Sequence, residues 1–175
     1  MNQTELNILT TAAMLHDVGK RFVEKEILCA QRELSEEEHL LIKQHPKLGY
    51  EFLKDNFEFS PHVYTAVLEH HEWYNGGGYP QQKSGTDISI YSRIIKLVDV
   101  YDALTSKVPY HEAVSPSEAV EYIMANAGAE FDPELVNIFM RKISVYPVGC
   151  EVELSDGRTA VVMENYRDFI LRPRI

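Results

Sequence analysis

Apolar residues recur at helical spacing along most of the chain and fall on alternate positions only near its end. Leu6, Leu9, Ala13 and Met14 predict a first helix from about Thr4 to Lys20, with Gly19 as its stop. Ser35-Glu36-Glu37-Glu38 has the spacing of a capping box and opens a second helix through Leu40, Leu41 and Ile42. Pro46 suits a first helical turn and starts a third, with Leu48, Phe52 and Leu53 facing inward. Ser60-Pro61 repeats that signature ahead of Val63, Val67 and Leu68. A long helix is expected from about Ile88 to Ser106, its apolar stripe made of Ile94, Ile95, Val98, Tyr101 and Leu104. Ser115-Pro116-Ser117-Glu118 opens the next, with Gly128 as its C-terminal cap, and Asp132-Pro133 opens the last, ending near Lys142. Between His70 and Ile88, Asn75-Gly76-Gly77-Gly78-Tyr79-Pro80 opposes a helix interior and predicts a loop.

After Ser144 the period changes to two. Cys150, Val152 and Leu154 alternate with Glu151, Glu153 and Ser155, and Asp156-Gly157 is a hairpin turn. Thr159 to Met163 and Phe169 to Leu171 supply further strand-like runs. The expected architecture is mainly α: a helical body over residues 1–144 and a small C-terminal antiparallel β appendage over 145–175.

Composition narrows the function. The 175 residues carry 27 acidic and 17 basic side chains, a net charge of -10 that disfavours binding a bulk nucleic acid along a broad surface. No apolar run reaches the roughly 18 to 20 residues that span a bilayer, and no signal peptide is visible, so a cytoplasmic protein without a membrane partner is expected. Cys29 and Cys150 make no disulfide framework or zinc-ribbon spacing and read as free, buried thiols.

Histidine is the unusual component: of seven, four fall in three motifs that look like ligand sets. His16-Asp17 offers an imidazole and a carboxylate, a mixed N/O pair suited to iron, manganese, zinc or similar ions. Lys20, four residues on, would share the helix side of His16 and bind a phosphate oxygen as a point charge. A polar helix end explains the same residues without chemistry. His45, before Pro46, sits at a helix junction from which it reaches a cleft, or else is a polar cap residue. In His70-His71-Glu72, successive helical residues diverge by about 100°, so the pair would serve two neighbouring ions, or one ligand and one substrate contact. One exposed and one core histidine is the plain alternative. The glycines that follow allow a backbone to approach a ligand closely, with Tyr79 at the rim. Asp99 and Asp102 interrupt an apolar helix; a buried acid needs a partner or a metal, and Asp99 is the chosen ligand. His39 reads as solvated helix surface, and His62 and His111 have no obvious ligand partners by spacing.

Taken in order, Leu15-His16-Asp17-Val18-Gly19-Lys20, His45-Pro46, His70-His71-Glu72, Gly78-Tyr79-Pro80 and Val98 to Ser106 resemble the HD-GYP subgroup of the HD phosphohydrolase superfamily over about Ala12 to Asp132. The resemblance implies an HD-type helical bundle with two or three divalent transition-metal ions, iron or manganese foremost, with zinc, nickel or cobalt as others. It implies hydrolysis of the bacterial second messenger cyclic di-GMP to pGpG or GMP. His16, Asp17, His45, His70, His71 and Asp99 would be ligands, Asp17 bridging two ions and acting with Lys20 in catalysis. Gly78, Tyr79 and Lys20 would contact substrate. The family often has an arginine and a lysine after Thr105-Ser106; this chain reads Lys107-Val108-Pro109-Tyr110-His111, so Lys107 and His111 are the candidates there. Asn75 stands where the family is commonly acidic. Helices ahead of the His-Asp helix usually add another ligand, whereas only fifteen residues precede His16 here. A degenerate signalling or binding module, and a phosphohydrolase of another nucleotide ester, remain the alternatives. Self-association or fusion to a regulatory domain is compatible with each.

Overall fold

In a computed structural model, residues 1–106, 113–143, 145, 146, 148–166 and 172–175 are described. Helix α1 (Gln3–Leu15) leads into a 3-10 turn (Val18–Phe22), followed by α2 (Lys25–Leu28), α3 (Glu36–Ile42), α4 (His45–Asn56) and α5 (Pro61–Glu69). A long loop precedes α6 (Ile90–Thr105), then come α7 (Pro116–Ala125) and α8 (Pro133–Met140). The protein is mostly helical with a small C-terminal sheet, as expected.

Capping decides most helix starts. Asn2, Ser35 and Ser115 each form a capping box, with Glu5, Glu38 and Glu118 respectively, and the Asp132 carboxylate accepts from Glu134 N. Helix α6 is the spine. Its Tyr91 and Ile95 pack with Ala12, Val63 and Ala66 of α1 and α5, while its Leu97 packs with Ile123, Phe131 and Val136 around α7 and α8. Helix α4 lies against α5 and, through Gly49, against the 3-10 turn at Gly19.

Several expectations need correction. Helix α1 stops at Leu15 rather than Lys20, because the chain tightens into the 3-10 turn. Its inward face is Ile8, Leu9 and Ala12; Met14 is 81% exposed and Leu6 43%, so the stripe is rotated from the one predicted. In α6, Val98 faces out and Leu97 in. Helix α7 ends at Ala125 with Asn126 as its C-terminal cap, and Gly128 (φ 85°) instead serves the following turn, its N–H donating to the Phe131 carbonyl. The short helix α2 was not anticipated. Cys29 is exposed and Cys150 half-buried: both are free, and neither is a core thiol.

Strands β1 (Glu151–Glu153) and β2 (Thr159–Val161) pair antiparallel with Val152 opposite Ala160, closed by Gly157 at φ 81°. The expected run Phe169 to Leu171 and the candidates Lys107 and His111 lie outside the described residues.

Candidate metal centre

Helix ends leave carbonyls without intrahelical partners, and three histidines use them. The Nδ1–H of His16 donates to Ala13 O at 2.7 Å at the end of α1. At the end of α5, His70 Nδ1–H donates to Val67 O at 2.7 Å, and His45 Nδ1–H donates to Ile42 O, the last residue of α3, at 2.8 Å. Each bond fixes the tautomer and leaves Nε2 as a lone pair aimed inward, the arrangement that metal-binding imidazoles adopt.

These lone pairs converge on Asp17. Its Oδ1 lies 3.2 Å from His45 Nε2 and 3.9 Å from His70 Nε2. Its Oδ2 lies 3.5 Å from His16 Nε2 and 2.5 Å from Lys20 Nζ. On the far side, Asp99 Oδ1 is 3.5 Å from the same His16 nitrogen. Asp17, His45, His70 and His71 place one donor atom each within 4.8 Å of one another. Two donor sets therefore share one carboxylate: Asp17 with His45, His70 and His71, and Asp17 with His16 and Asp99.

The chemistry of these donors fits a divalent cation. His16 Nε2 is buried and has no hydrogen-bond partner, a costly state for a polar atom unless an ion completes it. His45 Nε2 and His70 Nε2 face each other at 3.1 Å with both Nδ1 protons already committed. Both residues are fully buried. Burial foremost, then the neighbouring imidazoles, pushes the His70 pKa down to about 3, so the ring is neutral at physiological pH. His71 is shifted the same way by burial and by His70, His45 and Lys96. For Asp17, burial favours the neutral acid, but the adjacent His45 ring and the Lys20 ammonium outweigh it and hold the carboxylate well below its usual range.

The histidine pair departs from the expected helical geometry. Helix α5 ends at Glu69, so the 100° helical divergence does not apply to His70 and His71. Their rings approach to 4.2 Å and join one cluster. Lys20 sits in the 3-10 turn and pairs with Asp17, rather than sharing a helical face with His16. Asp102 is exposed, as the choice of Asp99 required. His39 and His62 stand outside the cluster.

The glycine-rich loop closes one side. Tyr79 stacks on His71, with centroids 4.8 Å apart and planes at 14°, and its N–H donates to His71 O at 3.2 Å. Gly78 is needed for close packing: a Cβ there would lie 2.2 Å from Trp73 N and 2.5 Å from His71 O. Asn75 Oδ1 accepts from Gly77 N, a short turn within the loop.

Sequence reasoning missed the residues that hold this loop. Glu69, 1% exposed, accepts from Lys83 Nζ and from Ser89 N at 2.8 Å. Glu72 accepts from Gln81 N at 2.6 Å and Lys83 N at 3.1 Å. The Lys96–Glu130 ion pair (2.6 Å) is buried, while Tyr74 N donates to Glu130 O and Asn75 N to Ala129 O. Glu69 was visible by the argument applied to Asp99, an acid in an apolar helix.

Comparison with known proteins agrees with this construction. The family model described as "HD domain" matches residues 1–135. A cyclic di-GMP phosphodiesterase of Pseudomonas aeruginosa is 37% identical over 164 residues, covering 94% of this chain and 39% of that protein. A cyclic di-GMP phosphodiesterase response regulator of Xanthomonas campestris is 37% identical over 142 residues, 81% of this chain and 38% of its own. The chain thus spans under two fifths of the length of these two relatives. A solved HDG"Y"P protein from Bdellovibrio bacteriovorus shares the fold with a TM-score of 0.62 at 23% identity, over 79% of this chain and 45% of that one. A cyclic GMP-AMP specific phosphodiesterase of Vibrio cholerae does so with a TM-score of 0.58 at 24% identity, over 79% and 38%. With the His-Asp to Gly-Tyr-Pro series assembled on that fold, the chain belongs to the HD domain family, in its HD-GYP subgroup.

Proposed function

We propose that this domain is a metal-dependent phosphodiesterase that hydrolyses cyclic di-GMP to pGpG or GMP. The observation that carries the reading is the Asp17 carboxylate shared between two donor sets, with the buried His16 Nε2 unpartnered between Asp17 and Asp99. Asp17, His45, His70 and His71 would hold one cation, and His16, Asp17 and Asp99 a second. Mixed N/O donors suit iron or manganese. When bound, such a pair supplies Lewis acidity toward a phosphodiester and a nucleophilic water at neutral pH.

The side chains divide the remaining work. Lys20 Nζ stands at the edge of the cluster and neutralises a phosphate oxygen as it approaches Asp17. Burial first, then the Asp17 and Asp99 carboxylates, raises the Tyr79 pKa, so its hydroxyl stays protonated and donates to the second phosphate oxygen. The ring of Tyr79, stacked on His71, keeps water from that side of the cluster. Every residue given a role here lies between 16 and 99, so the chemistry belongs to the helical body 1–144 rather than to the appendage 145–175. Acting on a second messenger places the domain in the cytoplasm, with a fused regulatory domain or self-association as its means of control.

Incubating the metal-loaded protein with cyclic di-GMP, 3′3′-cyclic GMP-AMP and a nucleoside monophosphate tests the reading. Linear dinucleotide or GMP appearing from cyclic di-GMP, and lost in Asp17→Ala, is the expected result. Release of inorganic phosphate from the monophosphate alone would transfer the activity to another ester. No turnover of any of the three would leave a binding module.

A further inference from the structure

A groove of about 810 Å³ runs between α2, the turn after it and α3, and Lys20 lies on its wall. Lys20, which meets Asp17 at 2.5 Å, is therefore shared between the groove and the histidine–aspartate cluster. Its volume falls in the range of small-molecule sites and is far more than one phosphate needs. Ile27, Leu28, Leu34 and Ile42 give it apolar walls, the surface on which the face of a nucleobase buries.

Arg32, also on the wall, supplies the polar discrimination. Its guanidinium is held end-on by Glu38, with Nη1 to Oε2 at 2.7 Å and Nη2 to Oε1 at 2.6 Å, and Nη1 donates again to Glu33 O at 3.0 Å. Glu38 is anchored in turn by the capping box with Ser35. A guanidinium has five N–H donors. Three are used, and the two left over, on Nε and Nη2, form the side-on fork, which makes no bond among the described residues. Two parallel donors on a fixed plane match the O6 and N7 acceptors of guanine and mismatch adenine, which offers a donor at N6. The residue that follows the groove-lining Ile42 is also a cation. Lys43, next to Ile42, places Nζ 5.5 Å from the Tyr79 ring centroid and makes no ion pair among the described residues.

We infer that this groove is a guanine-selective subsite: it seats one guanine of the dinucleotide against Ile27, Leu28, Leu34 and Ile42, with the free fork of Arg32 on its O6 and N7 edge. The inference rests on the phosphodiesterase reading for the substrate's identity, and adds to it the residue that selects the base.

Calorimetry of the metal-loaded chain with 5′-GMP and 5′-AMP tests it directly. GMP is expected to bind at least tenfold more tightly than AMP, and Arg32→Lys, which keeps the charge and loses the fork, to cut that ratio below threefold. Leu28→Trp, which fills the groove, weakens both nucleotides at least tenfold, and the methyl resonances of Ile27 and Leu34 move during a GMP titration of the parent chain. Equal affinity for the two nucleotides, or a guanine preference that survives Arg32→Lys, overturns the inference. Cyclic di-GMP hydrolysis is read on the same preparation. Hydrolysis without the guanine preference removes the groove and leaves the phosphodiesterase, while the preference without hydrolysis does the reverse.

Discussion

The two oxygens of the Asp17 carboxylate face different partners, Oδ1 toward His45 and His70 and Oδ2 toward His16 and Lys20. Lys20 is half-exposed and contributes to the site by charge more than by packing. A hydrogen bond to a charged group is worth about 1.5 to 3 kcal/mol, so Lys20→Ala should lower kcat/KM for cyclic di-GMP roughly ten- to a hundredfold. Steady-state kinetics beside a metal assay checks this: the metal content should stay at the parent value, and a loss of metal would mean that Lys20 supports the ligands instead. At this scale the sequence was informative, since His16, Asp17, His45, His70, His71 and Asp99 all reach one place. What it hid was the partner of Glu69, since its pairing with Lys83 spans a loop and has no periodicity to betray it.

Elements position these residues by where they stop. Three imidazoles stand beside the last turns of α1, α3 and α5, each bonded to a carbonyl that the helix leaves free. Apolar spacing located the helices but carried α1 on to Lys20, because periodicity does not register a chain tightening from α to 3-10 geometry. It placed His70 and His71 on a helix for the same reason, and so divided a pair whose rings lie 4.2 Å apart. Gly19 shows how closely these ends are set. A Cβ on Gly19 would lie 1.9 Å from His45 O and 2.6 Å from Gly49 N, both backbone atoms that cannot turn aside. Overpacking costs typically about 1 to 3 kcal/mol, and Gly19→Ala should reach the upper end while moving Asp17 away from His45. Thermal denaturation should show the loss of stability and calorimetric metal titration a weaker affinity. Parent-like values in both would show that the 3-10 turn and α4 do not need this contact.

Across the whole molecule, α6 ties the α1–α5 half to the α7–α8 half and carries Asp99 on the same helix as the buried Lys96. Burying several imidazoles together has a thermodynamic consequence. Folded His70 and His71 resist protonation far below 6.5, the value at which the unfolded chain takes up protons. Below pH 6.5 the unfolded state therefore binds more protons, and stability falls with pH. His16 acts above this window: burial lowers its pKa, but the Asp99 carboxylate and the other nearby groups raise it on balance, so below pH 6.5 its stabilising contribution is already complete and adds no slope. The two depressed groups leave a net loss that approaches about 1.4 kcal/mol per unit of pH for each of them. Chelator-treated protein should melt progressively lower from pH 6.5 to pH 5, and a flat or rising melting temperature would contradict the buried, neutral imidazoles. The mainly helical body and its β appendage were legible from period alone, whereas the groove beside Lys20 was not, since it lies between a short helix without amphipathic signature and an irregular turn. The central claim is that one carboxylate serves two cations, and elemental analysis of metal bound per chain after anaerobic loading tests it most directly. Two ions in the parent protein, one in Asp99→Ala and fewer than one in Asp17→Ala is the predicted result; a single ion in the parent, or two retained in Asp99→Ala, would contradict it.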